Sequence, residues 1–329
     1  MRLQIIDFLR GYSIFTIVVF HLFQRYDFPN ILEKAINFGG AGVHIFILCS
    51  GFGLCLSQLN KPLNFIEFLK KRFLKIYIPY IIIILISFFI PFLCIDSDRL
   101  VALLSHIFLF KMFDEHLISS FGGQFWFVSM IIQFYLFFIF LFKISERMNG
   151  WKFMMLSLFI SLTWSTLVGL IGKEEERIWN SFFLQYLWEF SLGLVIAKAY
   201  FKGKFKIQKP KLWHLIVISI LSLAIFGFMG IKGGIFKLYN DVPSLIAYLS
   251  LALLIYYLSV KWINKFFIYT NTFSYEWFLV HMLIISCVLH YFKDLFPLVV
   301  SASLAFMLSY ITAIGYHKLL KKTLYSHIS

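Results

Sequence analysis

Residues 3–21 read Leu3-Gln-Ile-Ile-Asp7-Phe-Leu-Arg10-Gly11-Tyr-Ser-Ile-Phe-Thr-Ile-Val-Val-Phe-His21. The stretch is apolar enough to enter a membrane, yet it carries a carboxylate, a guanidinium and an imidazole. Ionisable groups at that depth are costly and mark places where something is bound or transferred. At ~100° per residue, Arg10 and His21 fall within about 20° of one another on a helix, and Asp7 within about 40° of His21. The three share one stripe, with Arg10 about 16 Å below His21 at 1.5 Å per residue. That stripe has to face protein or water, so the segment predicts a helix lining a polar cavity. A cleaved signal peptide is the other reading of residues 1–25; no small-residue cleavage site follows, and it is rejected.

Outward from this segment the composition agrees. The 329 residues are 60% hydrophobic, 20% aromatic and 14% charged, with 42 Phe and a mean hydropathy of +0.84. This much apolar surface needs lipid around it and excludes an ordinary soluble domain. Apolar runs of about twenty residues predict about ten transmembrane helices, at 5–25, 38–57, 77–95, 125–142, 153–171, 181–199, 213–230, 243–260, 272–292 and 296–316. The fold class expected is an all-α integral membrane protein, a single transmembrane domain over 1–329 without an appended soluble domain.

Charge gives the orientation. With both termini cytoplasmic, 21 of the 30 basic residues fall inside, Arg2 and the Lys198–Lys211 stretch among them. Eleven of the 16 acids, including Glu33, Asp96 and Asp241, fall outside. The net charge of +14 is then a topological signal and calls for no nucleic acid. The four cysteines lie in or beside apolar segments without metal-ligand spacing, which reads as core packing, and no metal site is expected. Leu100–Phe110 is apolar but too short to span; it reads as an interfacial or re-entrant helix whose His106 is either a cavity or an interfacial group.

Residues 70–80 read Lys-Lys-Arg72-Phe-Leu-Lys75-Ile-Tyr-Ile-Pro79-Tyr80. Arg72 and Lys75, one turn apart on the cytoplasmic side, suit a phosphate-bearing ligand, or act simply as a positive-inside anchor. Residues 42–52 carry His44, a second intramembrane imidazole, and Ser50-Gly51, which permits close backbone approach or a local break. Trp126 and Gln133 share a helix face, with Tyr135 two residues on. Trp188-Glu189-Phe190 puts a carboxylate in the sixth span, and Ser274-Tyr275-Glu276 leads to His281 in the ninth. Each is compatible with local packing; together they suggest a hydrophilic cavity.

Taken in order, Asp7-Phe-Leu-Arg10-Gly11 with His21, Gly42-Val43 to Ser50-Gly51-Phe52, Arg72 and Lys75 with Pro79-Tyr80, Trp126 to Gln133-Phe-Tyr135, Phe190 with Gly193, and Ser274-Tyr275 to His281 resemble membrane-bound acyltransferase family 3, the O-acyltransferases of surface and secreted glycans. The resemblance covers essentially the whole chain. It implies transfer of an acyl group, acetyl first among candidates, from cytoplasmic acyl-CoA to a hydroxyl of a cell-surface polysaccharide or lipid-linked sugar, in the inner (cytoplasmic) membrane. No cofactor is expected to stay bound; acetyl-CoA is the donor substrate. The expected partners are acyl-CoA, the glycan acceptor, membrane lipid and glycan-assembly machinery.

On this reading His21 is the general base, with Asp7 and Arg10 on the same helix. Arg72, Lys75 and Arg10 hold the acyl-CoA, and His44, Ser50, Trp126, Gln133, Tyr135, Glu189 and His281 shape the acceptor cavity. The chain departs from the family pattern at Lys75, where a second arginine is usual, and at His44, where many members have an acid. It departs again at Ile131 and Ile132, where many carry Glu before the Gln; Glu189 is a candidate to supply the missing carboxylate. Two other classes are carried: an exporter of the glycan without acyl chemistry, and a non-catalytic partner with a degenerate site.

Overall fold

The computed structural model describes residues 3–29, 36, 38–94, 98–204 and 209–327. Arg2, Glu33, Asp96, Ile95 at the end of the third expected span, and residues 205–208 of the basic stretch lie outside them. Among the described residues the chain is helical, without strands. We label the main helices α1 Gln4–Phe23, α2 Gly42–Asn60, α3 Phe65–Arg72, α4 Ile78–Phe88, α5 Arg99–Ile107, α6 Trp126–Arg147, α7 Gly150–Leu170, α8 Leu187–Phe201, α9 Leu212–Lys232, α10 Asp241–Leu258, α11 Lys261–Thr270, α12 Ser274–Phe292 and α13 Leu298–Thr323.

Eight stretches are long and apolar enough to cross a membrane: α1, α2 (from Gly39), α6 (from Gly123), α7, α9, α10, α11 with α12, and α13. The protein is thus a multi-pass membrane protein. The other two expected spans fall on shorter helices, α4 with 11 residues and α8 with 15. α4 is extended at its start by a π-helical turn, Phe73–Tyr77, that joins it to α3. The outward faces carry Ile216, Ile220, Leu221 and Phe228 on α9 and Phe140 on α6. Such surfaces suit hydrocarbon, not water.

Contacts divide the chain into two compact units that alternate along it. The first comprises Met1–Ser13, Ala41–Phe65 and Met130–Tyr269; the second comprises Ile14–Gly40, Ile66–Ser129 and Thr270–Ser329.

In the first unit small residues bring backbones together. A Cβ on Gly51 would collide with the Phe190 carbonyl oxygen, and one on Gly193 with that of Leu48. α2 and α8 therefore pack backbone to backbone, the small-residue mode of membrane helices. Of the two readings of Ser50-Gly51, close approach is the one observed, since α2 runs unbroken. Gly11 does the same for the start of α1, against the carbonyl of Phe267 on α11. Serine pairs add hydrogen bonds: Ser157 Oγ donates to Ser191 Oγ at 2.8 Å, and Ser219 Oγ to Ser250 Oγ at 2.9 Å.

In the second unit the end of α1 packs on α12 and α13 through Leu22, Tyr26, Ile285, Val288, Ala302 and Ala305. The Tyr26 hydroxyl pairs with Ser301 Oγ at 2.9 Å, and Trp277 Nε1 donates to Ser309 Oγ at 3.1 Å. The short helix α5 is capped by Asp98, whose Oδ1 accepts from the amides of Leu100 and Val101. It leaves Leu100, Val101, Leu104 and Phe108 exposed while burying His106. An apolar outer face on a helix too short to span fits the interfacial or re-entrant reading.

Candidate functional site

His21 lies two residues from the end of α1, and in the second unit its ring meets that of His281 on α12. His21 Nδ1 stands 2.9 Å from His281 Nε2, with the rings stacked at 22°. His281 is fully buried. Its Nδ1 lies 2.8 Å from the Phe278 carbonyl oxygen and 3.1 Å from that of Trp277. Carbonyls only accept, so for the neutral ring Nδ1 carries the proton and Nε2 is the acceptor. His21 must then donate its Nδ1–H to His281, which leaves the lone pair of His21 on Nε2. The tautomer follows from the hydrogen-bond pattern, and its consequence is chemical: the His21 ring is oriented, and in its neutral form the acceptor nitrogen is Nε2.

The basic pair sits on an unusual piece of backbone in the same unit. Arg72 ends α3, Lys75 lies in the π-turn, and Pro79 follows in the first turn of α4. A π-turn and a proline both disturb the helical hydrogen-bond ladder. Tyrosines take up carbonyls there: Tyr275 donates to Ile76 O and Tyr316 to Pro79 O, each at 2.7 Å. The Tyr77 hydroxyl of the turn itself donates to Ile107 O at 2.6 Å. Tyr275 and Pro79, far apart in sequence, thus serve one local structure. Arg72 and Lys75 are both half-buried, and the Arg72 guanidinium lies over the Phe68 ring. Burial first, then the neighbouring charges of Arg72 and Lys71, holds the Lys75 ammonium below its ordinary value.

In the first unit His44 is brought to Glu189, Nδ1 to Oε1 at 2.7 Å, both buried. The backbone contact of α2 with α8 sets this distance. Asp241, at the start of α10, lies 3.9 Å from His44 Nε2. Gln185 Nε2 holds the other Asp241 oxygen at 2.6 Å and the Leu238 carbonyl at 2.6 Å. Glu189 Oε2 is buried without a hydrogen-bond partner among the described residues. The imidazole at 44, where many members of the resembled family carry an acid, is therefore flanked by two acids from elsewhere. Asp241, counted above with the outer-loop acids, was missed as a site residue: nothing local in the sequence places it beside His44.

The remaining expected residues are placed as follows. Asp7 and Tyr135 are buried; Arg10, Ser50 and Trp126 are half-buried. Arg10 Nε is buried without a hydrogen-bond partner among the described residues. Gln133 Oε1 accepts from the Phe183 amide at 3.3 Å, and its Nε2, a donor, is buried and unpartnered among them.

A further cluster gathers around His106, read from the sequence as either a cavity or an interfacial group, and adds Lys111 and Ser120, which that reading did not single out. Tyr80 and His106 meet at 2.5 Å, oxygen to Nδ1, and His106 Nε2 faces Ser120 O and Oγ at 3.2 Å each. Lys111, fully buried, donates to Ser120 O and Gly122 O at 2.8 Å each and lies over the Phe125 ring. Burial lowers both His106 and Lys111 well below their ordinary values, and the Lys111 charge lowers His106 further. The cluster pins a loop in which Phe121 has φ 51° and Gly122 φ 134°. A lysine among apolar residues carries little sequence signal of this kind.

A family model described as an acyltransferase domain matches residues 3–316. No curated protein and no solved structure matches the chain.

Proposed function

Because the chain belongs to acyltransferase family 3, we propose that it is a membrane O-acyltransferase that moves an acetyl or other short acyl group from cytoplasmic acyl-CoA to a hydroxyl of a cell-surface polysaccharide or lipid-linked sugar. The observation that carries this reading is the His21–His281 pair, which orients the His21 ring and puts the lone pair of its neutral form on a defined nitrogen. His21 Nε2 takes the proton of the acceptor hydroxyl as its oxygen attacks the thioester carbonyl. The C–S bond breaks as the tetrahedral intermediate collapses, and the proton passes from His21 to the departing thiolate. His281 touches no reacting atom; it is a positioning residue.

Arg72 and Lys75 are assigned the phosphates of the donor, presented by the tyrosine-braced π-turn. Arg10, with Asp7, is assigned to the donor side as well. Gln133 is assigned a donor role toward the carbonyl oxygen as its charge develops, because its Nε2 is buried without a hydrogen-bond partner among the described residues. Ser50, Trp126, Tyr135, His44 and Glu189 are assigned to the walls and polar lining of the acceptor cavity. The charge bias supports both termini in the cytoplasm and the inner membrane as location.

The test is transfer of labelled acetyl from acetyl-CoA in membranes containing the native protein or His21→Ala, with glycan and lipid fractions counted separately. Label reaching either fraction only with His21 intact supports the reading. Equal label above the empty-membrane control removes His21 as base. No label from acetyl or succinyl donors favours glycan export without acyl chemistry.

A further inference from the structure

One cavity in the second unit is lined by α12, which carries His281, and by the turn that follows α1, which carries His21. It encloses about 220 Å³, room for one sugar ring and not for a long chain. Arg25, four residues past His21, and Ser286, five past His281, both line it. Ser119 and Ser120 add polar groups, and Phe92 and Met282 add apolar faces. Hydroxyls beside an aromatic face form the lining that a pyranose, with its polar rim and apolar C–H faces, requires.

The walls are fixed before anything binds. His106 and Lys111 hold the Ser120 and Gly122 carbonyls from behind, and the Phe121 amide donates to Leu93 O at 3.0 Å. Such preorganisation lowers the cost of binding. Arg25 is exposed at the cavity, and among the described residues its guanidinium has no carboxylate partner.

We propose that this cavity binds a sugar bearing an anionic group, a carboxylate or a phosphate, with Arg25 selecting the charge; on the acyltransferase reading above, it is the acceptor subsite. Arg25 grips the anion as a planar fork. Ser119 and Ser286 take ring hydroxyls, and Phe92 covers one ring face.

The experiment measures binding to the purified full chain in detergent, by ligand-observed NMR, of methyl glucuronoside, glucose 6-phosphate and methyl glucoside. At least one anionic sugar should bind about tenfold more tightly than the neutral one, the size of a single charge-assisted contact. Arg25→Gln should bring it to the neutral level, Arg25→Lys should retain part of the preference, and Ser286→Phe should block all three. Whichever anionic sugar binds tighter identifies carboxylate or phosphate as the group read. Equal binding of the three sugars, no binding of any, or a preference that survives Arg25→Gln overturns the proposal. Binding needs no turnover, so the two readings fail separately. Loss of the preference with acetyl transfer intact removes the subsite and leaves the transferase. Arg25-dependent binding without acetyl transfer keeps the site and removes the reaction.

Discussion

His44 and Glu189 are 145 positions apart in the chain and meet at 2.7 Å, imidazole Nδ1 to carboxylate Oε1, in the buried interior of one unit. Removing one member of such a pair strands the other. His44→Ala leaves a buried carboxylate with neither oxygen satisfied and should cost about 3–5 kcal/mol. Glu189→Gln keeps a hydrogen bond to the ring and should cost less. Thermal unfolding in detergent orders the two: a milder effect of His44→Ala than of Glu189→Gln would mean that the pair does not hold α2 to α8.

Gly51 and Gly53 are two residues apart on α2 and predict opposite outcomes. A Cβ at 51 runs into the Phe190 carbonyl, whereas one at 53 meets nothing. Gly51→Ala should destabilise by about 1–3 kcal/mol or more, because a backbone atom cannot give way as a side chain does. Gly53→Ala should be neutral or slightly stabilising, since alanine is the better helix former. Parallel melting curves of the two variants test the packing directly.

Lys75 offers a pH signature. Its ammonium is held below its ordinary value by burial and by Arg72 and Lys71, so raising the pH discharges it sooner than an ordinary lysine. The KM for acetyl-CoA should therefore rise on the alkaline side in the native protein. In Lys75→Arg it should stay flat, because a guanidinium does not titrate there. Lys75→Ala should raise that KM about tenfold with kcat little changed, the pattern of lost uniform binding. An unchanged KM in Lys75→Ala would take the residue out of the donor site.

His106 and Lys111 set a stability trend. Both are lowered in the folded protein, so the unfolded chain binds more protons in the window between folded and unfolded values. Stability then rises with pH through that window. For His106 it is lost as the pH falls below about 6.5; for Lys111 the gain continues toward its ordinary 10.5. The native melting temperature should fall from pH 7 to pH 5 more steeply than that of His106→Gln, which keeps amide hydrogen bonds without titrating. Equal slopes would show that His106 is protonated in the fold at no cost.

Much of this was legible in the order of residues. The helix at α1, eight of the ten apolar runs and the family motifs were legible because they are local, one helix at a time. The partners were not legible. His281 was expected as a cavity residue, but its tautomer depends on carbonyls of its own helix and on a ring 260 positions away. The π-turn at Phe73–Tyr77 left no mark in composition, since tyrosines from α12 and α13 hold the carbonyls beside it. Asp241 read as a loop acid because its position relative to His44 is set by packing of α10 in the first unit. The two spans expected at 77–95 and 181–199 became shorter helices, one joined to a π-turn and the other preceded by irregular chain.

The most direct measurement is the pH dependence of single-turnover acetyl transfer by the native protein, His21→Ala, His281→Leu and His281→Gln. Loss of a positioned base costs about 10²–10⁴-fold, so His21→Ala should be nearly silent and His281→Leu should fall by about a hundredfold. His281→Gln should recover part of the rate, because its carbonyl oxygen accepts the His21 Nδ1–H, and its acid limb should shift relative to the native profile. Full turnover in His21→Ala, or a native profile in His281→Leu, would contradict the assignment of His21 as the oriented base.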